Sequence, residues 1–219
     1  MQAKMIASEV CAVVLAGGRG QRMGGSDKGL QPFRGQPLAW HALERLRAQT
    51  FGAPGRLLIN ANRNLDTYRQ WGAEVCSDTI DGFAGPLAGV LAALAQCRTS
   101  HPYLLTVPCD SPRFPLDLLE RLAHALQAQD ADIAMVVAPD SEETASPEPQ
   151  RLRRQPVFCL YKTHLADSLG AFMATGQRKI DAWTSQHTFA EVPFDLPADD
   201  PRAFANANTL AELANLESP

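Results

Sequence analysis

Basic charge is not in excess in this chain. Twenty lysines and arginines stand against 24 aspartates and glutamates, a formal net charge of −4. A surface that binds nucleic acid is normally basic overall, so this balance argues against such a partner while leaving room for a local cationic pocket. Metal-binding spacing is also missing. The five cysteines (Cys11, Cys76, Cys97, Cys109 and Cys159) are far apart, form no CxxC pair and sit mostly in apolar runs. An odd, unspaced set reads as reduced, buried thiols of a cytoplasmic protein and suggests no zinc site. His41, His101, His124, His164 and His187 show no ligand spacing, and no Ser–His–Asp arrangement is suggested. No stretch approaches the length of a membrane span. The apolar run after Ser8 and Glu9 is too short for a secretory leader with its cleavage site. These absences predict a cytoplasmic protein away from membranes.

What is present fits one sizeable domain over residues 1–219: 45% hydrophobic and 20% charged residues are enough for a real core. Val10–Ala16 is a continuous apolar run, the pattern of a strand buried on both faces. Further strands are expected at Arg56–Asn60, Ala73–Cys76, His101–Val107, Asp132–Ala138, Pro156–Tyr161 and near Phe189–Val192. Helical spacing is expected over Pro37–Arg47, Asp66–Trp71, Pro86–Gln96, Leu116–Gln127, from Thr163, around Lys179–Ser185 and over Leu210–Leu216. Alternating strands and helices predict an α/β fold, a mostly parallel sheet with helices on both faces. Residues 139–155 interrupt the rhythm with Pro, Glu and Ser followed by three arginines, and read as a mobile surface loop.

The most informative stretch is VVLAGGRGQRMGGSDKGL, residues 13–30. It places Arg19, Arg22 and Lys28 on a glycine-rich turn directly behind a strand. A Walker A loop is excluded, because Gly25 is followed by Ser26 rather than Lys, and Lys28 by Gly29. A dinucleotide turn is only partly matched, since Met23 holds its third glycine position. The chemistry still favours phosphate. Backbone amides of such a turn can face an anion, Arg forks suit phosphate oxygens, and Lys adds a point charge. The plain alternative is a solvated basic loop.

LAGGRGQRMGGSDKGL resembles the signature of the molybdenum cofactor guanylyltransferases, within the nucleotidyltransferases that begin L-A-[AG]-G-x-[GS]-x-R-[FM]. The resemblance continues through Asn60-Ala-Asn-Arg63, Asp78, Gly85-Pro-Leu-Ala-Gly89, Pro108-Cys-Asp110 and Asn206-Ala-Asn-Thr209, in order and over nearly the whole chain. It implies a Rossmann-like, three-layer nucleotidyltransferase fold, nucleotide-binding in its N-terminal part, with the C-terminal third turned toward a pterin substrate. It implies GTP contacts at Leu15, Ala16, Gly17, Gly18 and Arg19, and at Lys28, Asn60 and Asp78. Pro86 and Leu87 would wall the same pocket. Catalytic roles fall to Arg22, Lys28 and Asp110, with Mg²⁺ on Asp110. The implied partners are GTP and Mo-molybdopterin, with transient contacts to molybdenum-insertion proteins and recipient molybdoenzymes.

Several of these positions have local readings too. Asp110 follows an apolar strand at the sheet edge where α/β folds bind ligands, and one carboxylate is what Mg²⁺ usually takes from a protein. It could equally cap the next helix. Asp78 could accept from the guanine edge, hold the ribose or shape a turn. Asn62 reads as a turn residue. Asn206 and Asn208 either cap the last helix or face the pterin. A phosphate monoester is already an anionic nucleophile at neutral pH, so the expected chemistry needs positioning and charge neutralisation rather than a strong base. The rival readings are a cytidylyl relative, a sugar-phosphate nucleotidyltransferase and a non-catalytic nucleotide sensor.

Overall fold

The computed structural model describes residues 5–18, 27–80, 85–139 and 151–217. Strand β1 is Val10–Leu15, and β4 (Arg56–Asn60) and β6 (Tyr103–Pro108) run parallel to it on either side. β5 (Glu74–Cys76) extends the sheet beyond β4, also parallel. On the other flank lie β8 (Leu152–Lys162), β7 (Ile133–Pro139) and β9 (Phe189–Pro193), giving the order β5-β4-β1-β6-β8-β7-β9. Only β8 is antiparallel to its neighbours. A small hairpin, β2 (Pro32–Phe33) and β3 (Gln36–Pro37), stands apart from this sheet.

The two-residue period of the strands divides the core. Along β1, Val10, Ala12 and Val14 point to one side, Cys11 and Val13 to the other. The first side is covered by α1 (Leu38–Arg47) and α4 (Leu118–Ala128), the second by α3 (Pro86–Cys97) and α5 (Ala166–Ala174). Both faces are therefore dry, which is why the strand reads as an unbroken apolar run. The helices α2 (Leu65–Arg69), α6 (Ile180–Thr184) and α7 (Leu210–Glu217) complete the three-layer, Rossmann-like arrangement.

Two expectations are corrected. Residues 152–155 of the predicted loop are strand: Leu152, Arg153, Arg154 and Gln155 pair with β7 from Pro139 back to Val136. Their charged, unpatterned sequence hid an edge of pairing that only the partner strand supplies. The thiols of Cys11 and Cys97 are not separate and reduced but paired as a disulfide, 86 residues apart in sequence. The reason is topological. Cys11 faces α3, and Cys97 is the last residue of that helix, so the crossover packs one over the other. Cys76, Cys109 and Cys159 remain free.

Candidate active site

β1 lies where the strand order reverses: the chain builds β4 and β5 outward on one side, then returns to β6 on the other. Ligands of open α/β sheets bind at the carboxyl ends of strands at such a switch point. Two groups of side chains gather there, one on each side of Leu15, whose register partners are Asn60 and Pro108.

The first group is a net of amides around one carboxylate. Asn60 donates from Nδ2 to Asp78 Oδ1 at 2.9 Å, and Asn62 Nδ2 donates to Asp78 Oδ2 at 2.8 Å. The Asp78 amide donates in return to Asn62 Oδ1 at 2.9 Å, and Asn62 Nδ2 also reaches the Gly17 carbonyl at 3.2 Å. Asn60 is buried, and the backbone is drawn tightly around it. A Cβ on Gly17 would lie 2.9 Å from Asn60 Oδ1 and 2.8 Å from Asn62 Nδ2; one on Gly89 of α3 would lie 2.4 Å from Asn60 Oδ1. These glycines serve close approach. The net ties the ends of β1, β4 and β5 together and packs against α3 at Gly89. Asn62 is thus more than a turn residue; its spacing of two from Asn60, just beyond a strand end, was the signal for it.

The second group is ionic. Lys28 donates from Nζ to Asp110 Oδ2 at 2.5 Å and to Asn208 Oδ1 at 2.8 Å. Lys28 and Asp110 are only 18% and 17% exposed, so the pair is partly shielded from water. Lys28 is planted by its neighbour Asp27, a buried carboxylate that sequence reading missed. Asp27 Oδ1 accepts from the Gly29 amide at 3.1 Å and from the Tyr68 hydroxyl at 2.8 Å, and Oδ2 accepts from Asn64 Nδ2 at 2.9 Å. An Asp just before a short helical turn is a cap signature, and Asp27 caps the 3₁₀ turn Lys28–Leu30. Burial, reinforced by Asp27, raises the Tyr68 phenol well above its ordinary range, so it stays a donor.

The C-terminal segment closes on this pair. The Ala207 amide donates to the Asp110 carbonyl at 2.9 Å, and Ser111 Oγ donates to Asn206 Oδ1 at 2.6 Å. Neither asparagine caps α7. Thr209 does, its Oγ1 accepting from the Glu212 amide at 3.1 Å, while Glu212 Oε2 accepts from the Asn208 amide at 2.8 Å. Asp110 is likewise no cap, since α4 begins at Leu118 with Asp117 at its N-cap position.

The remaining expected positions fall nearby. The Ala16 amide donates to the Asn60 carbonyl at 2.8 Å, and the Gly18 carbonyl accepts from Arg63 at 3.3 Å. Pro86 is exposed at the first turn of α3, whereas Leu87 is fully buried in the core beneath it. Arg19 and Arg22 lie outside the described residues. Among the described residues no three carboxylate, cysteine or histidine side chains cluster as a metal cage. Asp110 offers a single carboxylate, so a divalent ion held there would take its other ligands from water and phosphate and would have to displace the Lys28 ammonium from Oδ2.

Comparison with known proteins gives the family and the fold. Residues 12–192 match the family described as MobA-like NTP transferase domain. A molybdenum cofactor guanylyltransferase of Albidiferax ferrireducens is 57% identical over 212 residues, 97% of each chain. One of Bordetella petrii is 54% identical over 95% of this chain and 97% of its own. A crystal structure titled molybdopterin-guanine dinucleotide biosynthesis protein A, from Archaeoglobus fulgidus, superposes with a TM-score of 0.70 at 21% identity, covering 94% of this chain and 96% of its own, and shares the fold. The chain belongs to the MobA-like NTP transferases and, within them, to the molybdenum cofactor guanylyltransferases.

Proposed function

We propose that this enzyme transfers GMP from GTP to the terminal phosphate of Mo-molybdopterin, releasing pyrophosphate and forming the guanine dinucleotide cofactor. The observation that carries the reading is the Lys28–Asp110–Asn208 contact at the carboxyl ends of β1 and β6, in a chain of this family. Asn60 and Asp78 hold the nucleoside, walled by Leu15, Ala16, Gly17, Gly18 and Pro86; Leu87, fully buried, supports this wall from the core instead of lining it. Each Asp78 oxygen accepts one amide N–H already, and a carboxylate has about four acceptor positions, so it can still take a donor from guanine.

Lys28 neutralises the triphosphate, assisted by Arg19 and Arg22. Asp110 holds Mg²⁺, which when bound draws charge from the phosphate oxygens and orients them. On this reading the Lys28 ammonium, which contacts Asp110 Oδ2 at 2.5 Å, turns to the phosphates when nucleotide binds. Asn206 and Asn208 face the pterin substrate, so the incoming phosphate arrives beside Lys28. No general base is required, because the nucleophile is already an anion; the side chains align it with the α-phosphorus and stabilise charge moving toward pyrophosphate. The proposal includes a cytoplasmic location and transient contacts with molybdenum-insertion proteins and recipient molybdoenzymes. Among the described residues no helix is long and apolar enough to cross a membrane.

The test is incubation with Mo-molybdopterin, Mg²⁺ and either GTP, CTP or ATP, following pyrophosphate and dinucleotide. Product with GTP alone is expected. Product with CTP in preference would move the enzyme to cytidylyl transfer.

A further inference from the structure

A cavity of about 330 Å³ opens beside the Lys28–Asn208 contact, between the end of β7, strand β8 and α7. Gln155, Arg202, Phe204, Asn206, Glu212 and Asn215 line it, and Asn208 is shared with the ionic group. From this lining we infer that Arg202, with Gln155 beside it, reads the ring edge of the pterin substrate and so sets its affinity. The inference rests on the function proposed above and adds to it the residues that recognise the ring.

Arg202 differs from its neighbours. The turn that carries it is clamped from outside: Arg121 donates to Asp199 at 2.9 Å, and Arg113 donates to Asp200 at 2.8 Å. The Arg202 amide donates to Asp200 Oδ1 at 2.8 Å, and its carbonyl accepts from the Ala205 amide at 3.1 Å. Its backbone is thus held, yet among the described residues no hydrogen bond or ion pair engages its guanidinium. A fixed backbone with an uncommitted fork at a cavity wall is an arrangement prepared for a ligand.

The lining also says which part of the substrate enters. One guanidinium and one carboxylate, Glu212, leave it without net charge, a poor match for a phosphate dianion. The phosphate is better served at Lys28. Carboxamides from Gln155, Asn206 and Asn215 supply both donors and acceptors, as an amino-pyrimidinone ring requires. A guanidinium fork takes an adjacent oxo oxygen and ring nitrogen side by side, the pairing by which arginine reads guanine in the DNA major groove. Phe204 offers a flat apolar wall, fixed edge-on against Phe158 and Phe194 with ring centroids 5.0 Å apart in each pair.

The test is steady-state kinetics at saturating GTP with Mo-molybdopterin varied. Arg202→Ala should raise KM for the pterin substrate about ten- to a hundredfold, the scale of one lost bidentate pair. The kcat at saturation, the KM for GTP and the melting temperature should stay near wild type. Arg202→Lys should not restore KM, because the fork is lost although the charge is kept. Gln155→Ala should raise the same KM by less. A free pterin without phosphate should compete with substrate in the wild type and weakly in Arg202→Ala. An unchanged KM in Arg202→Ala overturns the inference, as does full rescue by Lys, or competition by inorganic phosphate that is lost with Arg202. A wild type that does not convert Mo-molybdopterin with GTP overturns the underlying reading instead, and shows this without any variant.

Discussion

The two sides of β1 solve different problems. On the β4–β5 side, three hydrogen bonds join Asn60, Asn62 and Asp78, a fourth runs from Asn62 to the Gly17 carbonyl, and no room is left for a Cβ at Gly17 or Gly89. That side is finished before any ligand arrives. On the β6 side, a lysine holds an aspartate and an asparagine that the proposed chemistry needs elsewhere. Under the proposed function, that side exchanges partners when substrates bind. A pocket for a nucleoside gains from rigidity, because donors and acceptors already in place lose little entropy on binding. Under the proposed function, Lys28 is a placeholder cation that pairs with Asp110 until a nucleotide arrives with Mg²⁺.

Removing the placeholder should give the largest effect. Lys28→Ala is expected to lower kcat/KM for GTP by roughly two orders of magnitude or more, the scale of losing one electrostatic group at a transition state. Its melting temperature should fall only modestly, since Asp110 keeps some access to water. Retention of more than about a third of wild-type kcat/KM, a loss under ~1 kcal/mol, would remove Lys28 from the phosphates. Asp110→Asn comes next. It can still accept from Lys28, and the Ala207 bond is to its backbone, so the fold should persist while turnover drops by about tenfold or more. Normal turnover with normal melting would leave Asp110 without the metal role.

The rigid side should respond in binding more than in turnover. Asp78→Ala removes the better acceptor of the buried Asn60 amide, leaving it only the Cys76 carbonyl at 3.5 Å, while Asn62 keeps the Gly17 carbonyl; losing one such buried bond costs about 1–3 kcal/mol. It should weaken GTP more than ITP, which lacks the 2-amino group; equal losses would place Asp78 on the ribose, on the N1–H that both purines share, or in a structural role. Gly89→Ala pushes a methyl against Asn60 Oδ1. It should raise KM for GTP and cost about 1–3 kcal/mol in chemical denaturation, the range for an overpacked site. A variant as stable and as tight-binding as wild type would show that the net tolerates movement.

The smallest effect lies far from either side. Burial, the largest influence, holds the His187 imidazole below its ordinary value, with Asp132 pulling the other way. A folded pKa below the unfolded one, near ~6.5, means that the unfolded chain binds the proton more readily. The stability His187 contributes is therefore present above about pH 6.5 and lost as pH falls through that value toward the folded pKa. Melts between about pH 7.5 and 5 should show a shallower decline for His187→Gln; an identical slope would assign the pH dependence to other groups.

Much of this was legible in sequence. β4 is Arg56–Asn60 as its apolar run indicates, and α3 begins at Pro86, where a proline suits the first turn. The sequence puts Lys28 on the glycine-rich turn behind β1 and Asp110 directly after an apolar strand. What stayed hidden depended on partners distant in the chain. Asp27 looks like one more polar residue after a glycine run, and only Tyr68, 41 residues on, shows that its carboxylate is an anchor. Gln155 looked like part of a loop until β7 paired with it.

The sequence by itself determined the strand–helix alternation, the buried central strand and the cationic, glycine-rich turn behind it, because these follow from local periodicity and from the chemistry of each side chain. The tertiary structure alone decided which of those residues touch. Lys28 and Asn208 are 180 positions apart, and their contact exists because the C-terminal segment returns over the end of β6. Hydrogen bonds act over about 3 Å, whatever the distance along the chain, so the pairing is written in the packing of the sheet and helices and not in any stretch of sequence.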